Sequence, residues 1–189
     1  MDDGFSRSLD DWTAYFALMG GAAATLLGLL FVAVSLRLNI FHQRAVADVR
    51  DFAALTMGTF LAAMAVAGAA LAPHEQRTYL VLALLVIGVA GMLAMALIAR
   101  VSFALSRAAT GPDAPNPLGR WKVKPYALLA AGPYAAVIVA ALLLWREHPY
   151  GLGWLAISEG WLLGAGTLTA WILLAHAGLE GGTPPSDPP

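Results

Sequence analysis

Leu152–Ala177 reads LGWLAISEGWLLGAGTLTAWILLAHA. A helix rising about 1.5 Å per residue needs about 20 apolar residues to cross a hydrocarbon layer roughly 30 Å thick. This run has 26 and carries neither Lys, Arg nor Asp. It does carry Glu159, the only acidic residue inside any of the chain's long apolar runs. Directly after it comes Gly160-Trp-Leu-Leu-Gly164, a GxxxG spacing that predicts close approach of a second helix.

Four further runs of 20 residues or more lie upstream, at Thr13–Leu36, Phe52–Ala72, Tyr79–Ala99 and Tyr126–Trp145. None alternates with period two, and a spanning strand needs only about 10 residues, so a β-barrel is excluded. The reading is an all-α, polytopic integral membrane protein with five transmembrane helices over residues 13–177. An acidic N-terminal segment, residues 1–12, precedes them, and a Pro/Gly-rich tail, residues 178–189, is expected to be disordered. Ser8-Leu-Asp-Asp11 has capping-box spacing and predicts the start of the first helix.

Composition agrees. Of 189 residues 59% are hydrophobic and 12% charged, where a soluble domain carries about 25% charged residues. A net charge of −1 leaves no nucleic-acid footprint, and the absence of cysteine removes thiolate chemistry. Abundant Ala and Gly, with nine Arg against two Lys, point to a bacterial protein and hence to the plasma (inner) membrane.

Basic residues set the expected orientation. Arg37, Arg44, Arg50, Arg100, Arg107, Arg120, Lys122 and Lys124 fall on one side; Arg7, Arg77 and Arg146 fall on the other. By the positive-inside rule the N-terminus is outside and the C-terminus inside. Trp12, Trp121, Trp145 and Trp154 stand at the expected boundaries as interfacial anchors. Arg120, Lys122 and Lys124 are suited to anionic lipid headgroups, although the ordinary inside bias is the more economical explanation of them.

Small residues recur at helical spacing. Gly21, Ala24 and Gly28 share one face of the first span; Gly58, Ala62, Ala65, Ala69 and Ala72 share one face of the second. These faces predict an antiparallel pair packed along two small-residue seams. Pro133 removes a hydrogen bond mid-span in the fourth helix and predicts a kink, with Tyr134 bringing a hydroxyl beside it.

Glu159 is the centre of the expected chemistry. It lies about 10 Å inside the outer boundary, and Leu155, Ala156, Leu162 and Leu163 give it no polar neighbour one turn away. An intramembrane carboxyl must therefore face protein, water or an ion. Ser158 and Tyr134 join it as ion-path or polar-contact candidates. Arg77, Arg146, His74, His148, Tyr15 and Tyr79 are the partners within reach at the outer rim. His74, Glu75, Glu147 and His148 in the two outer turns form a weaker candidate metal set. The chain contains no GxSxG, P-loop or HExxH motif, and its span hydroxyls are few; neither an enzyme nor a cofactor is expected. Two readings stay open. One is an oligomeric cation or proton channel or ion-coupled transporter using Glu159; the other is a non-catalytic assembly subunit docking partner helices through its Gly/Ala faces.

Overall fold

The computed structural model describes residues 3–36, 46–72, 77–108 and 118–180, with side chains over 9–35, 54–72, 77–98, 100 and 131–172. It is all-helical. Helices α1 (Asp3–Leu36), α2 (Val46–Leu71), α3 (Arg77–Ala108), α4 (Leu118–Trp145) and α5 (Gly151–Glu180) follow in order. Each contains one of the five apolar runs.

The helices are longer than the runs. The α1 helix begins at Asp3 and passes through Ser8, so the start expected from the capping spacing is corrected. No proline interrupts residues 3–12, and an aspartate at the first turn suits the positive end of the helix dipole. Backbone hydrogen bonding simply continues past the apolar stretch. The same holds for α3, which runs on to Ala108, and for α5, which takes in residues 178–180. Residues 181–189 of the expected tail lie outside the described residues, as do residues 37–45 and 109–117.

Among the described residues three segments are long and apolar enough to cross a membrane: Leu9–Ser35, Ala54–Leu71 and Arg77–Ile98. Ala131–Trp145 is apolar but shorter. The bundle's outside is correspondingly greasy. Leu18, Leu29, Phe31, Val86, Leu93 and Trp171 all stand exposed on it. A water-soluble monomer rarely exposes so much contiguous apolar surface; lipid tails cover it at no cost.

Helices consecutive in the chain run antiparallel, and α1 and α5 run parallel. The α2 helix packs on α1, α3 and α5, while α4 sits between α3 and α5. The α1 helix lies mainly on α2 and more lightly on α5. One end of the bundle gathers the start of α1, the start of α3 and the α4–α5 turn. There Arg77 pairs with Glu147 at 2.9 Å. Glu147 has φ 56°, and its N–H donates to Leu144 O while that of His148 donates to Leu143 O. This is a Schellman closure of α4 made without the usual glycine.

The expected α1–α2 pair forms, but not along the expected seams. Phe16, Ala23 and Leu30 of α1 are buried, as are Phe60, Ala63, Val66, Ala67 and Ala70 of α2. The close approach is at Gly20, where a Cβ would stand 2.8 Å from that of Ala67. Gly21, Ala24 and Gly28 are exposed, and a Cβ on Gly21, Gly28 or Gly58 would meet nothing. Ala62 is only partly buried and Ala65 is exposed. The contact thus runs one residue, about 100° of helix, away from the predicted stripe. Both faces are rich in small residues; the larger side chains decide which turns inward.

Candidate functional site

Along α5, eight residues separate Glu159 from Gly151, about 12 Å of helix rise. The spacing Leu152, Leu155, Glu159, Leu162, Ala165, Thr169 forms the buried face of this helix. Glu159 therefore points into its own bundle, not toward lipid or toward a lumen between subunits. It is 0% exposed, and neither carboxylate oxygen has a hydrogen-bond partner. A bare carboxylate in such a place costs several kcal/mol unless a proton, water, an ion or another polar group accompanies it.

Of the partners the sequence placed within reach, Tyr15 comes nearest. It is close enough to interact electrostatically with Glu159, but its hydroxyl donates to Ala156 O at 2.8 Å rather than to the carboxylate. Arg77 is engaged with Glu147. Arg146, His148 and Tyr79 are exposed. The His148 ring lies tilted against that of Tyr150, centroids 5.4 Å apart. His74 and Glu75 lie outside the described residues, and among the described residues no three metal-ligating side chains come together.

Ser158 is buried but satisfied along its own helix, its hydroxyl directed at Trp154 O (2.7 Å) and Leu155 O (3.0 Å). Tyr134 is buried, with its ring packed over Gly91 of α3, so it belongs to the α3–α4 contact. Pro133 is buried inside α4, whose helical run continues through it. Gly132 gives room to the indole of Trp161; a Cβ there would come within 2.7 Å of it. The GxxxG pair splits. A Cβ on Gly160 would stand 3.8 Å from the Tyr15 hydroxyl, an ordinary contact, whereas Gly164 faces open space. The side chains of Arg120, Lys122 and Lys124, at the start of α4, lie outside the described ones.

A second polar cluster seals the other half of the α2–α5 contact. Thr56 Oγ1 donates to Thr169 Oγ1 at 3.0 Å, Thr59 donates to Thr56 O, and Thr169 is also directed at Ala165 O and Gly166 O. Gly166 lets Phe60 and Thr59 approach, since a Cβ there would lie 2.7 and 2.8 Å from them. Glycines 20, 88, 91, 132 and 166 make the close helix contacts, and the sequence reading missed them in that role. Gly20 meets the small Ala67; for the other four the signal was a bulky residue on the facing helix, which helical periodicity does not display. Comparison of the chain with protein-family models, with curated proteins and with solved structures found no match.

Proposed function

We propose that the chain spans the membrane five times, N-terminus outside and C-terminus inside, and moves protons or small cations with Glu159 as the exchange site. The observation that carries this is a fully buried carboxyl, deep in an apolar bundle, with no protein hydrogen-bond partner. A group held there at such a cost has a default reading of ion or proton binding. Because Glu159 turns into its own bundle, the site belongs to each chain separately. A homo-oligomer would then repeat the site without building it. No catalytic role is proposed. The bacterial plasma membrane, and anionic headgroups held by Arg120, Lys122 and Lys124, complete the reading.

The test is reconstitution. Purified chain in sealed liposomes is expected to pass protons or a monovalent cation above the protein-free rate, by way of Glu159. Absence of flux under every cation and proton gradient would favour the second reading, an assembly subunit. What favours that alternative is the open small-residue surface of Gly21, Ala24, Gly28 and Gly164, which leaves room for a partner helix. Orientation has its own test. Single cysteines at positions 8, 106 and 186 are probed with an impermeant thiol reagent in intact cells. Labelling at 8 alone is expected; labelling at 106 or 186 with none at 8 inverts the topology.

A further inference from the structure

We infer that Tyr15 is a latch that closes the approach to Glu159 between α1 and α5. Trp12, Tyr15 and Phe16 come together at the start of α1. Their rings meet nearly edge-on, with Trp12–Tyr15 centroids at 5.6 Å and Tyr15–Phe16 centroids at 5.5 Å. Phe16 is fully buried and fixes the cluster, while Tyr15 is half-buried and reaches across to α5. There its hydroxyl donates to Ala156 O, one turn before Glu159. Gly160 lies beside the phenol, where a Cβ would stand 3.8 Å from the hydroxyl in ordinary contact. The latch thus crosses the lighter of the two α1 contacts, directly beside the sealed carboxyl.

The bond is built to be exchanged. Ala156 O sits within a regular helix and has its own helical donor, so losing the phenol leaves no orphan acceptor. The stronger acceptor nearby is the Glu159 carboxylate, because hydrogen bonds to an ionised group are roughly twice as strong as neutral ones. Deprotonation of Glu159 draws the Tyr15 hydroxyl off Ala156 and loosens the α1–α5 contact. Among the described side chains, α2 offers Glu159 no titratable group, and α4 offers only Tyr134, which packs on α3. On α1 the acids Asp10 and Asp11 are exposed about one turn before Tyr15, whose hydroxyl is the group that reaches α5.

This latch rests on reading Glu159 as an exchange site, but its test needs no flux. A water-soluble carbodiimide is added to one side of sealed vesicles and then to the other. Its adduct on Glu159 is counted by mass spectrometry, with Glu159→Gln as the blank. Tyr15→Phe keeps the ring and its packing and removes only the hydroxyl. It should raise labelling severalfold from the side carrying the α4–α5 turn and leave the other side unchanged. Tyr79→Phe, at an exposed position on α3, should match the wild type. Wild-type labelling of Tyr15→Phe, or an equal rise from both sides, would overturn the latch; the second result would mean general loosening. Faster one-sided labelling in a protein without flux would sink the transport reading and leave the latch standing. Flux with unaltered labelling would do the reverse.

Discussion

Gly91→Leu is expected to break the α3–α4 contact and leave a protein that no longer survives extraction in detergent. Even the Cβ of an alanine at position 91 would clash with the edge of the Tyr134 ring. Tyr134 is only 3% exposed. One turn away, a Cβ on Gly88 would strike Ile138 and crowd the Tyr134 carbonyl, so α3 has no adjacent face on which to slide. Lipid supplies no hydrophobic force to hold the pair together once packing is lost. Overpacking by a few methylenes costs about 1–3 kcal/mol in well-packed cores. Gly91→Ala should fall in that range and Gly91→Leu above it, read as loss of the cooperative thermal transition. Gly28→Ala, which meets open space, should melt like the wild type. Shortening the obstacle should rescue part of the loss: Gly91→Ala with Tyr134→Ala should be less damaged than the sum of the two single changes.

Substitutions at Glu159 are expected to separate function from stability. Glu159→Gln retains size and hydrogen-bonding capacity but takes up no proton and balances no cation. Flux should fall at least about tenfold, equivalent to ~1.4 kcal/mol in the barrier. Glu159→Leu should abolish flux in the same way and raise the melting temperature. Removing a buried polar group that has no partner relieves about 1–3 kcal/mol, and apolar replacements of buried ionic groups are often stabilising. A Leu variant that is inactive and more stable would mark Glu159 as a group retained for its chemistry. A Leu variant that unfolds would show the carboxyl to be a structural contact instead.

The count of helices was legible because each apolar run is as long as a bilayer is thick. Their ends were not legible. Ser8-Leu-Asp-Asp11 has the right chemistry for a cap, yet α1 runs through it, because a capping sequence permits a helix start without compelling one. The inward faces were half legible. Alanine and glycine occupy several faces of α1 and α2, so their spacing alone did not choose the contact at Gly20 and Ala67; elsewhere the close contacts set a large residue against a glycine: Tyr134 against Gly91, Trp161 against Gly132, Phe60 against Gly166. Glu159 was expected to face protein, water or an ion, and it is buried within the bundle. Tyr15 stood among the partners within reach, but that it would spend its hydroxyl on a carbonyl depends on the α1–α5 crossing, which no local spacing encodes. The Arg77–Glu147 pair joins residues distant in sequence and was hidden for the same reason.

The most direct test of the account is an infrared difference spectrum of the reconstituted protein, recorded across a change of pH and again across a change of monovalent cation. A protonated carboxyl stretch absent from Glu159→Gln identifies the Glu159 signal. If Glu159 is the exchange site, this band disappears and returns reversibly as protons or cations are exchanged. A Glu159 band that stays fixed under every pH and cation tried would contradict it.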